Sequence, residues 1–143
     1  MNLSNHIKLL AGLAYANGTA TREGAEVDMQ GYDGVVAIVV NATIAGSASG
    51  DFHWEQDTAT GMASAADLAD TAITIADGDS DEIVVSDLYR PRERFVRGVI
   101  TKDEAHAQAE SMIYLLYKGD KCPVSDMGAD SYELCISPAE GTK

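Results

Sequence analysis

The sequence predicts an all-β protein: a jelly-roll-like antiparallel β-sandwich with an extended or short-helical N-terminal arm and an irregular C-terminal tail. Three observations predict it. Short apolar runs with period-two alternation recur between residues 25 and 118. Turn formers (Gly, Asp, Ser, Pro) separate most of these runs, and no long stretch carries helical spacing. About seven short strands at such spacing favour two packed sheets.

The elements are justified in chain order. Residues 1–22 place Ile7, Leu10 and Leu13 at three-residue spacing, which reads as a short amphipathic turn or two in an arm that either lies on the domain or reaches for a neighbour. AEVDMQ alternates, with Val27 and Met29 on one side. GYDG at 31–34 is a turn. VVAIVVNATI, 35–44, is β-branched and nearly uncharged, the best candidate for a central, buried strand. DFHWEQD alternates, with Phe52 and Trp54 inward and Asp51, His53 and Glu55 outward. Residues 58–70 are small and polar, with room for one helical turn at 65–69. TAITIAD, EIVVSDLY, RFVRGVIT and AESMIYLLYK supply further strands. The last is apolar on both faces and is expected to be covered on both sides. The resulting organisation is an arm at 1–22, a sandwich domain at 23–120 and a tail at 121–143. In the tail, Val124, Met127, Leu134 and Ile136 are positions able to dock on the body or on a partner.

Charge narrows the function. The chain of 143 residues has 10 Lys and Arg against 23 Asp and Glu, a formal net charge of −13. Such a molecule repels phosphate, so nucleic acid and anionic membrane surfaces are disfavoured partners. No apolar run approaches the roughly 18 residues that span a bilayer, and the start, interrupted by Gly12, is a poor secretory signal. Cys122 and Cys135 form no CxxC pair. Two reduced cysteines in a protein made in cytoplasm is the reading preferred over a disulfide closing that short loop.

Motifs for chemistry are weak. Asp77-Gly78-Asp79-Ser80-Asp81-Glu82 begins like a calcium loop, but an EF-hand needs glycine where Glu82 stands and glutamate where Leu88 stands. It reads as a solvated β-turn. Asp51, His53 and Glu55 share a strand face able to offer metal ligands, yet only one is histidine, and a polar outer face is the simpler reading. There is no GxSxG, no phosphate-binding glycine loop, and nothing that ties a histidine to a nucleophile. The expectation is a non-enzyme with no cofactor and no metal.

One segment departs from the acidic background. YRPRERFVR, 89–97, holds four of the ten cations: Arg90, Arg92, Arg94 and Arg97. If extended, the first three point one way and Tyr89 and Phe95 the other. Pro91 places the segment at an edge or in a loop. These arginines either pair with the protein's own carboxylates or anchor a protein partner, since arginine beside tyrosine is common in interface hot spots. Tyr89, Arg90, Arg92, Arg94 and Arg97, with Ile7, Leu10 and Leu13 of the arm, are the interface candidates.

The run GYDGVVAIVVNATI, the stretch DLADTAITIADGDSDEIVVSDLYRPRERFVRGVIT with its ERFVR strand at Glu93–Arg97, and AESMIYLLYKG resemble jelly-roll capsid cement (decoration) proteins of tailed bacteriophages over residues 25–118. No family active-site residue exists to carry over. The resemblance implies a structural virion protein on the capsid exterior. It would bind the major capsid protein and itself, as a dimer or trimer, and cement neighbouring subunits against genome pressure. Other readings are a head–tail joining or tail protein, and a non-viral β-sandwich module binding a protein or a carbohydrate, with Trp54 and Tyr89 as stacking groups.

Overall fold

A computed structural model describes residues 3–122, 124 and 126–132. Ten strands follow one another: β1 (Ile7–Gly18), β2 (Arg22–Glu23), β3 (Val27–Asp28), β4 (Tyr32–Ile44), β5 (Ser49–Asp57), β6 (Ala66–Asp67), β7 (Ile73–Ala76), β8 (Ile83–Tyr89), β9 (Phe95–Lys102) and β10 (Gln108–Gly119). All pairings are antiparallel. One sheet has the order β1-β10-β4-β8. In the other, β9 and β5 are central, β2 and β3 flank β9, and β6 and β7 flank β5. If β2 with β3, and β6 with β7, are each counted as one interrupted strand, eight positions remain. They divide between the sheets in the jelly-roll order, first-eighth-third-sixth over second-seventh-fourth-fifth.

The alternation expected from sequence is what closes the sandwich. Val35, Ala37 and Val39 of β4 and Met112, Tyr114 and Leu116 of β10 point inward from the first sheet. They meet Phe52, Trp54, Val96 and Ile100 of the second. Trp54 stacks on Tyr114 with ring centroids 5.8 Å apart and meets Phe52 edge-on at 5.4 Å. Large aromatics bury about 150–250 Å² each, so this trio dominates the core. Gly98 lies under the Phe52 ring, where a Cβ would collide.

Of the two forms expected for the N-terminal arm, the structure has the extended one, lying on the domain, and the short-helical one is corrected. Residues 7–18 are neither helical nor detached: they form β1, paired with β10 from Ile7↔Tyr117 to Gly18↔Gln108. Ile7 pairs with Tyr117 on the other face of the strand, whereas the three-residue spacing of Leu10 and Leu13, which mimics a helix, comes from a register shift between Ala11 and Leu13. An extra residue there reverses the alternation, so Leu10 and Leu13 both pack on the core. Smaller corrections follow. β4 starts at Tyr32, so the turn sits at Gln30–Gly31, with Gly31 at φ +85°. Residues 66–67 are strand, not helix. Residues 90–94 form no extended run, because Arg90 adopts φ +53° and ends β8.

The start of the tail docks beside β1. The Val124 amide donates to the Asn5 carbonyl, and the Leu9 amide donates to the Met127 carbonyl at 2.7 Å. Leu134, Ile136 and Cys135 lie outside the described residues; Cys122 is exposed and forms no disulfide among the described residues.

Candidate interaction surface

The arginines divide into two groups. Arg97 donates to Glu55 at 2.6 Å and to Glu23 at 2.7 Å on the face of the second sheet. Arg94 grips Asp28 through two bonds of 2.8 and 2.7 Å and lies over the Phe95 ring. That fork holds the Asp28 carboxyl below the usual carboxylate range. Both cations are thus engaged within the chain. Arg90 is exposed and only loosely paired, 3.5 Å from Asp33. Arg92 is exposed and has no ion-pair partner among the described residues.

Tyr89 is exposed at the end of β8. It stacks on Tyr117 at 6.5 Å, nearly parallel, with Lys118 Nζ 4.7 Å from its ring centroid. Tyr117 donates to Asp87 at 2.6 Å; burial, followed by that acceptor, pushes the phenol up to about 12. Of the arm candidates, Ile7 is buried and Leu10 and Leu13 are half-buried against the core. Trp54, a stacking candidate in the carbohydrate reading, is 1% exposed, and its indole donates to Ser86 at 2.9 Å, so it is a core residue.

The surface that sequence reasoning missed is the outer face of the first sheet. Its alternate residues line up by register. Ala11, Ile113, Ile38 and Val85 form one row, and Leu9, Leu115, Val36 and Asp87 the next. Val40 and Ile83 extend the patch. Four of these are largely in solvent: Ile83 at 63%, Val85 at 56%, Ile113 at 46% and Val40 at 44%. The signal was present, since AESMIYLLYK and VVAIVV are apolar on both faces. For AESMIYLLYK this pattern predicts cover on both sides, whereas the second face of β10 and β4 is left open among the described residues. Contiguous apolar area of this kind marks contact surfaces.

Two charged groupings were also missed. Lys102 Nζ and Glu110, both essentially buried, lie 2.9 Å apart; Arg22 donates to the other Glu110 oxygen at 2.8 Å. Lys102 also donates to the Gly18 and Gln108 carbonyls. This network ties β1, β9 and β10 together at one end of the sandwich. Separately, pairing of β5 with β6 brings Asp67 to His53 and Glu55, within 4.8 Å of one another. Arg97 already occupies Glu55 and Asp51 holds the His53 ring at 2.7 Å, so a cation there would compete with existing partners. The groove bordered by Met29, Tyr32, Asp33, Arg90 and Arg94 has a volume of about 510 Å³ but is open and shallow.

Fold and surface together define a jelly-roll sandwich with one open apolar sheet face. No family model matches the chain, and no curated protein matches it. Among solved structures, one described as the crystal structure of PBSX exported protein XepA aligns with a TM-score of 0.56 at 17% identity. The alignment covers 98% of this chain and 46% of that one, so this chain spans about half its length. A second, described by the words "Bacillus endospore appendages form a novel family of disulfide-linked pili", aligns at 14% identity with a TM-score of 0.42, over 80% of this chain and 91% of that one. The first likeness shows the all-β fold, in agreement with the strand order.

Proposed function

We propose that this chain is a structural virion protein that binds the outside of a phage capsid and cements neighbouring major-capsid subunits against internal genome pressure, with no catalytic role. The observation that carries this reading is the open apolar face of β10, β4 and β8 on a molecule of net charge −13. High like charge keeps copies dispersed, while a largely apolar patch gives one face a reason to bind protein. The resemblance of residues 25–118 to cement proteins supplies the partner class, and the jelly-roll order agrees with it. The mechanism is linkage. A ligand that binds the expanded shell better than the immature one stabilises the expanded state, and many modest contacts on a symmetric lattice add by multivalency.

The test is co-sedimentation with expanded and with immature shells. Saturable binding of many copies to the expanded form is expected, and Val85→Asp with Ile113→Asp should weaken it at least tenfold in a protein that still folds. Binding to neither shell, or binding indifferent to both substitutions, overturns the reading. A ring-like stoichiometry of roughly a dozen copies would point instead to a head–tail joining role.

A further inference from the structure

We infer that β8 is a dimerisation edge, and that two copies of this chain join β8 to β8 about a two-fold axis. The inference stands apart from the capsid reading and uses the edge of the sheet, not its face.

An unpaired strand edge is a template for another strand, and proteins usually blunt it with breaks, bulges, proline or charge. Three of the four sheet edges here are blunted. β1 carries register shifts, and its Leu9 amide is already bonded to the Met127 carbonyl. The edges of the second sheet are broken into pieces of two to four residues, β2 with β3 and β6 with β7. β8 differs. It is seven residues long, its register with β4 runs without a shift from Gly34↔Tyr89 to Val40↔Ile83, and Asp87 is its one charged residue. It contains no proline, and among the described residues no other strand lies on its far side.

The ends of β8 say what covers it. Asp77, Asp79, Asp81 and Glu82 precede it; Arg90 and Arg92 follow it. Asp81, Glu82 and Arg92 are exposed and have no ion-pair partner among the described residues. A two-fold axis running antiparallel strands past each other sets the acidic end of one against the basic end of the other, twice. Residues paired across an antiparallel ladder point to the same side, so a self-paired strand must centre on one of its own residues. Centring on Ser86, the midpoint of β8, gives full overlap. Ile83 then faces Tyr89 of the partner subunit, Val85 faces the partner's Asp87, and Glu82 comes beside the partner's Arg90. The Asp87 carboxylate already accepts from Tyr117, so it enters the joint with a partner. The product is a continuous sheet of eight strands, twice the four of one copy, with both apolar faces on the same side.

The test combines light scattering with charge reversal at physiological ionic strength, where long-range repulsion between acidic copies is screened within about 8 Å. The wild-type chain is expected to show a concentration-dependent monomer–dimer equilibrium. D81K/E82K and R90E/R92E should each weaken it at least tenfold while circular dichroism stays unchanged, and an equimolar mixture of the two variants should restore a heterodimer. Hydrogen exchange of β8 amides should slow as concentration rises. A chain that stays monomeric to millimolar concentration, a trimer, or a dimer whose affinity ignores both variants and whose β8 amides exchange freely would each overturn the inference.

Discussion

Tyr114 shows how one polar atom constrains the core. Its ring is stacked on Trp54, and its hydroxyl accepts the Gly98 amide at 2.8 Å in a buried setting. Burial raises the phenol to about 12. Tyr114→Phe keeps the ring and strands the amide, so a loss of about 1–3 kcal/mol is expected in urea unfolding; an unchanged midpoint would mean water replaces the hydroxyl. Asp103 is the corresponding case at the surface. Its carboxyl is held well below the usual range by the His106 amide and ring, with further N–H donors from Ala105 and Ser49. A lowered folded pKa contributes stability that is present above the unfolded value near 4 and lost as pH falls through the folded one. Asp103→Asn should therefore lower Tm most near pH 7, and the gap to wild type should close below pH 4. A gap that does not depend on pH would assign the loss to packing. The sequence showed aspartate, histidine and turn formers together here, but not that four N–H groups converge on one carboxylate.

At the element scale, β1 is the decisive strand. Leu10 and Leu13 pack on the core from it, and Lys102, Glu110 and Arg22 form bonds around its C-terminal end. Deleting residues 1–19 should unfold the sandwich by circular dichroism, whereas a detachable arm would be lost without effect. The buried pair behind β1 carries a second expectation. Glu110→Ala leaves the Lys102 ammonium buried and unpaired, a cost of about 3–5 kcal/mol, while the apolar double replacement Lys102→Met with Glu110→Leu should recover most of it. An equal loss in both variants would mean that volume matters more there than charge. Strands β4, β5, β8, β9 and β10 were legible because each is rich in β-branched or aromatic residues. β1 was not, since a bulge shifts its phase and imposes a false helical spacing. β2, β3 and β6 are two residues each, too short for any periodicity to show.

For the whole molecule, charge and apolar surface pull in opposite directions. Copies of net charge −13 repel at long range, while the open face of the first sheet favours contact once a partner is reached. Val85→Asp with Ile113→Asp should thus raise the concentration at which the protein stays dispersed at high salt, with little change in Tm, because both side chains already face solvent. A large drop in Tm would show that the face is packed within the chain. From its residues alone the chain determined its fold class and the core alternation, because period-two patterning is a local property set by which side of each strand meets water. It also determined the net charge of −13. Only the tertiary structure decided which arginines are spent on internal pairs, which apolar face stays open and which edge stays unpaired. Those depend on what strands distant in the chain bring alongside, and no local pattern records a neighbour.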